Sequence, residues 1–211
     1  NRMNKKIIKA MYQNIVAKDV CRPIMNGVHF EEGRCYASDG HVLVILNEGS
    51  KALDGKTLSI IGEEIEGRYP NVDSVFPRHE DSDTEFVLDV KQLKEACAYH
   101  ARKQETTDKD AVVINGVGFN ICTMLRLLTT IMLAGTKEVK FTSKDRSHAV
   151  VVENGKVLRC LIMPTLFVDE NVDAEAELGE PVVLSYENFI NDYVFNSWKK
   201  APAKEELAWA I

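Results

Sequence analysis

The chain has 211 residues, 45% of them hydrophobic, and a formal net charge of −6; this suits one large domain or two small ones with a real core and argues against disorder. Its five cysteines, Cys21, Cys35, Cys97, Cys122 and Cys160, are odd in number and lack CxxC spacing, which speaks against a disulfide framework or a zinc site and fits buried free thiols in a reducing cytoplasm. No stretch approaches membrane-spanning length and the N-terminus has no apolar signal core, so a soluble, cytoplasmic protein is expected.

The charge is segregated: residues 1–22 carry a net +5 and the remainder −11. Over residues 4–18 the helical period puts Ile7, Ile8, Met11 and Ile15 on one side and Lys5, Lys6, Lys9 and Gln13 on the other, which predicts an amphipathic helix with a cationic face. Such a face attracts a polyanion locally; a merely solvated lysine face has the same pattern. Strands are expected at Gly27–Glu31, Arg34–Ser38, His41–Leu46 and Thr57–Ile61. Between the second and third, Ser38-Asp39-Gly40-His41 is a tight polar turn, because glycine takes positive φ freely and aspartate bonds the backbone ahead of it. An ordinary hairpin accounts for this much. Residues 62–84 hold two prolines and seven acidic residues, the composition of a surface connection, and predict a boundary near residue 80.

The second part begins with a strand at Glu85–Leu88 running into a helix, Val90–Lys103, that buries Leu93, Ala96, Cys97 and Ala101 and turns Lys91, Lys94 and Arg102 elsewhere. Strands Ala111–Asn115 and Val117–Ile121 flank a turn at Gly116. The next helix, Thr123–Ala134, has Arg126 as its only charge and so is expected to be buried on more than one side. Strands follow at Glu138–Thr142, His148–Glu153 and Val157–Met163, the last two joined by Asn154-Gly155, a strong hairpin signal. The order is helix, strands, helix, strands, helix, strands: an α+β fold of repeated helix-plus-antiparallel-strand units. VLDVKQLKEA at 87–96 and VLSYENFIND at 183–192 share a strand-into-helix pattern. Residues 167–180 contain six acids and no base, a solvated linker, and the apolar stretch Tyr186–Trp198, followed by Trp209, reads as a docked terminal helix, with a partner-binding segment as the alternative.

No glycine-rich phosphate loop, HExxH helix or GxSxG elbow is present, and His29, His79, His100 and His148 show no ligand spacing. No metal or cofactor is therefore expected. Ser38, Asp39 and His41 are the nearest approach to a catalytic set, yet three residues of one turn cannot aim their side chains at one another as nucleophile, base and orienter must. A binding protein is expected rather than an enzyme, with a small enzyme using Asp39 and His41 as the remote alternative.

Arg22–Leu46, RPIMNGVHFEEGRCYASDGHVLVIL, resembles the start of the middle domain of the bacterial sliding clamp, the β subunit of the replicative polymerase. GRYPNVDSVFP (67–77) is similar to the segment that closes that domain, and KVLRCLIMPTL (156–166) to the family's C-terminus, in the family's own order. Val42 stands where the family usually has Arg, and Thr165 where Met is common. The resemblance implies a DNA-clamp-like fold shortened to about the middle and C-terminal domains, with residues 1–80 and 81–166 as clamp-like domains and 167–211 as an acidic linker and C-terminal extension. It further implies a processivity factor that meets double-stranded DNA through helix cations, here Lys5, Lys6, Lys9, Lys91, Lys94 and Arg102, without reading sequence. Short peptides of polymerase, clamp-loader or repair proteins would enter an apolar pocket made by Gly40, His41, Val42, Leu43, Val75, Leu161, Met163 and Pro164. A homo-oligomer is one form this implies; a clamp-derived interaction module of phage or mobile-element origin that does not encircle DNA is another.

Overall fold

The computed structural model of the protein describes residues 2–80, 82–103, 109–172 and 180–199. Trp209 and much of the acidic stretch, residues 173–179, lie outside these. Helix α1 (Arg2–Asn14) precedes strands β1 (Val28–Glu31), β2 (Arg34–Ser38), β3 (Val42–Leu46) and β4 (Thr57–Leu58). Strand β5 (Thr84–Asp89) runs into α2 (Val90–Ala101), followed by the hairpin β6 (Ala111–Ile114) and β7 (Val117–Asn120). Helix α3 (Ile121–Ile131) then leads to β8 (Glu138–Ser143), β9 (Val150–Asn154) and β10 (Leu158–Ile162), and β11 (Val183–Ser185) runs into α4 (Tyr186–Lys199). These are the α+β units that the sequence pattern predicts, and β11–α4 repeats the strand-into-helix step of β5–α2.

The larger sheet has the order β4-β1-β2-β3-β10-β9-β8-β5. It reads the same from either edge: each half is a three-strand meander preceded by a helix, α1 before β1-β2-β3 and α3 before β8-β9-β10, with one further strand outside. The halves meet at the antiparallel seam β3·β10, in register from Leu46↔Leu158 to Val42↔Ile162. Helix α1 packs on α3, α3 on α2, and α2 on α4.

All five residues of β3 are buried because the sheet is covered on both faces, which is why Val42–Leu46 shows no polar alternation. Val42, Val44 and Leu46 share the main core with Ile7, Met11 and Ile15 of α1, Met124, Leu127 and Leu128 of α3, and Cys160 and Ile162 of β10. Leu43 and Ile45 belong instead to a second cluster on the outer face, with Tyr36, Tyr69, Val72, Val151 and Leu161. Residues 69–76, which composition marks as a surface connection, are the roof of this cluster. The Tyr69 hydroxyl accepts from Ser38 N (3.1 Å), Arg34 grips Asp73 through two bonds of 2.8 and 2.6 Å, and the Arg159 guanidinium sits 3.9 Å from the Phe76 ring centroid. Burial raises the pKa of the Tyr69 phenol, and the Arg34 guanidinium holds the Asp73 carboxyl below the usual carboxylate range.

Two helix boundaries depart from the periodicity for local reasons. α1 stops at Asn14 rather than 18, because Ala17 N leaves the helical ladder to reach Met25 O (3.0 Å). α3 starts two residues before Thr123, because the Asn120 side chain accepts from Thr123 N (2.9 Å) and so caps the first turn. Of the five free cysteines, Cys35, Cys97 and Cys160 are buried as expected, whereas Cys21 and Cys122 are exposed.

The smaller sheet has the order β11-β6-β7, with β11 parallel to β6 and β7 antiparallel to it. On the far side of β7, Thr165 N donates to Gly118 O (2.8 Å). The approach is so close that a Cβ at Gly118 would collide with the Thr165 carbonyl oxygen and lie 2.7 Å from the Phe167 ring. The chain after residue 164 thus lines both sides of the β6–β7 hairpin. α4 is the expected docked helix: Phe189 is fully buried and its ring stacks on that of His100 at 4.2 Å and 14°.

Candidate functional site

The turn Ser38–His41 is built by its own side chains. Asp39 Oδ1 accepts from His41 N (2.8 Å) and Val42 N (3.0 Å), Ser38 Oγ accepts from Gly40 N (3.1 Å), and Gly40 takes φ +93°, a value that disfavours any side chain. Asp39 Oδ2 pairs with Arg126 Nη1 at 2.8 Å, and the same guanidinium donates to Asn14 O at the end of α1 (3.1 Å). The lone charge of α3 therefore ties the turn to two helices. Nothing in residue spacing marks this contact, which joins positions far apart in the chain. Ser38 and Asp39 are thus committed to backbone groups and to Arg126.

Across the seam, Met163 N donates to His41 O (2.8 Å), and Leu161 lies beside Leu43. Gly40, His41, Leu43, Leu161 and Met163 are consequently brought together, with Pro164 following, half-buried. Met163 is 42% exposed and Val75 53%; Val75 ends the short turn Asp73–Val75 of the roof, between Val72 and Phe76, which pack on the outer cluster. Val42 faces the helices, on the opposite side of the sheet from Leu43, as alternation along a strand requires.

Lys5, Lys6 and Lys9 are exposed on α1, Lys91 on α2 and Arg102 at its C-terminal cap, and Lys94 of α2 is half-buried. α3 separates the two rows. The α2 row borders α4: a groove of about 530 Å³ between them is lined by Lys94, Tyr99, Arg102, Lys103, Tyr193 and Asn196. Lys103 Nζ meets Asp192 Oδ2 at 2.5 Å, and the Tyr193 hydroxyl donates to Glu95 (2.8 Å), whose carboxylate also lies 4.0 Å from Lys91. Among the described residues, no group of three or more His, Cys, Asp or Glu side chains could hold a metal ion, and no helix is long and apolar enough to cross a membrane.

No protein-family model and no curated protein matches the chain. Solved structures do. The DNA polymerase III subunit β of Pseudomonas aeruginosa is similar with a TM-score of 0.60 and 18% identity, over 77% of this chain and 64% of that one. This chain has the fold of a bacterial sliding clamp. The Caulobacter crescentus β sliding clamp gives a TM-score of 0.61 at 15% identity, over 79% and 64% of the two chains. A Helicobacter pylori β clamp, solved with a DNA ligase peptide bound, gives 0.56 at 14% identity, over 76% and 62%. The matched part thus spans less than two thirds of these clamps, and at such identities the likeness is one of fold.

Proposed function

We propose that the protein is a clamp-like, non-enzymatic factor that associates with duplex DNA without reading sequence and binds partner peptides beside the β3·β10 seam. In this reading residues 1–80 and 81–166 act as clamp-like domains and 167–211 as an added extension. The observation that carries it is the junction of the Ser38–His41 turn with Met163 through His41 O. It puts an exposed methionine beside a tight turn, above a sheet face already apolar at Leu43 and Leu161. A flexible, polarisable side chain next to fixed backbone groups is what anchoring a short apolar peptide requires. Lys5, Lys6 and Lys9, with Lys91, Lys94 and Arg102, supply the cations for the phosphate backbone.

A fluorescent DNA ligase peptide, of the kind seen in the Helicobacter clamp complex, is the direct probe. Burying Met163 against the peptide contributes on the order of 1.5–3 kcal/mol, so Met163→Asp is expected to weaken binding about tenfold or more without changing the melting temperature. Equal affinity of the wild type and Met163→Asp refutes this placement of the pocket.

A further inference from the structure

The C-terminal helix lies against the cationic helix α2, and the charges of the two are complementary. Between residues 167 and 192 the sequence has eight acidic residues and no basic one, and α4 presents one of those acids, Asp192, to α2. Its carboxylate is within 2.5 Å of Lys103 Nζ and 3.8 Å of His100 Nε2. The docking is more than a surface ion pair: Phe189 is fully buried, its carbonyl oxygen is 3.0 Å from His100 Nε2, and Tyr193 is bonded to Glu95 one turn along. The wall this builds runs beside Lys94 and Arg102, which line the groove opposite Tyr193 and Asn196.

We propose that α4 is an intramolecular competitor for the polyanion that α2 would bind. While docked, Asp192 occupies Lys103 as a phosphate would, and the body of α4 narrows access to Lys94 and Arg102. Among the described residues, Lys5, Lys6 and Lys9 on α1 are exposed and face no such cover, so the protein has one open and one restrained row of cations. Duplex DNA that engages both rows has to displace Asp192 from Lys103, and affinity is set by the balance between the helix and the nucleic acid. This deepens the duplex-binding reading above and rests on it.

The test uses the full chain and a fluorescent duplex of arbitrary sequence, with anisotropy measured over a salt series. Asp192→Asn removes the competitor's charge while keeping Phe189 in the core; Glu187→Gln removes one charge from the exposed first turn of the same helix and is the control for net charge. Freeing one cation for a phosphate contact steepens the slope of log K against log salt by about 0.9, about an eightfold gain in affinity at 0.1 M salt. That gain is expected for Asp192→Asn and not for Glu187→Gln, and adding Lys103→Gln to Asp192→Asn should erase it. Hydrogen exchange gives a second readout: amides of α4 lose protection when duplex is added. The same affinity for Asp192→Asn and Glu187→Gln, or unchanged α4 protection, overturns the competition while leaving duplex binding intact. Binding that survives Lys5→Glu/Lys6→Glu/Lys9→Glu in full, or no binding by any variant at low salt, overturns the duplex reading itself and the competition with it.

Discussion

Replacing Asp39 by alanine removes the acceptor that shapes the Ser38–His41 turn and the partner of the only charge on α3. Two backbone N–H groups, at 2.8 and 3.0 Å, lose a charged acceptor, and hydrogen bonds to charged groups contribute about 1.5–3 kcal/mol each before water re-forms part of them. The Arg126 pair is partly screened, with side-chain exposures of 36% for Arg126 and 15% for Asp39, and adds about 1 kcal/mol. Because the two N–H groups are near the surface and regain water, the lower end applies, and with the ion pair about 4 kcal/mol is expected for Asp39→Ala. For a chain of this size that corresponds to a fall in melting temperature of roughly 8–16 °C. Asp39→Asn keeps a side-chain oxygen for the two N–H groups and loses only the ion pair, so it should cost about 1 kcal/mol. Urea denaturation followed by far-UV circular dichroism separates the two variants, and a double-mutant cycle with Arg126→Met isolates the pair. Stabilities of Asp39→Ala and Asp39→Asn within about 0.5 kcal/mol of each other would show that the carboxylate does not hold the turn, a difference at the limit of what additivity resolves.

Two further outcomes follow from the roof and the second sheet. Arg34 lowers the Asp73 pKa in the folded chain, so the unfolded state binds the proton more readily; the stabilisation is present above the ordinary carboxylate pKa of about 3.9 and is lost as pH falls through the lowered folded value. Asp73→Asn should therefore flatten the acid limb of the stability curve, and curves for wild type and variant that stay parallel from pH 6 to pH 2 contradict the role given to the pair. Gly118→Ala inserts a methyl group where the Thr165 carbonyl and Phe167 already sit; the resulting displacement is expected to cost about 1–3 kcal/mol, and an unchanged melting curve refutes the close approach.

Much of the fold is legible in the sequence because it depends on local period. The run Val42–Leu46 announces a strand buried on both faces, Lys5, Lys6 and Lys9 announce an exposed helix side, and VLSYENFIND announces a strand entering a helix. What period does not carry is which distant residue a side chain meets. Arg126 reads as a stray charge on a buried helix until the fold brings Asp39 to it. Tyr69, Asp73 and Phe76 read as parts of a polar connection until Ser38, Arg34 and Arg159 appear beneath them. Asn120 is the exception: its position before an apolar run is a helix-start signal, and it moves the start of α3 ahead of Thr123. For the site, β3 and the turn before it carry Gly40–Leu43, and β10 and the residue after it carry Leu161–Met163, but the pleat turns Val42 away from Leu43.

The β3·β10 seam also bears on how the chain reaches its native state. It joins residues 42–46 to 158–162, and closing so long a loop must come before any reward from the contacts it creates, which slows folding. Each meander and its helix can form from nearby residues, but the junction of His41 with Met163 exists only once the halves have met. A peptide that bridges this junction binds the closed chain and not a form in which the halves are apart, so it should stabilise the protein by an amount that grows with the logarithm of its concentration above Kd. On the proposed reading, the partner's signal is whether the last long-range pairing has been made, and readiness to bind becomes a report of completed folding.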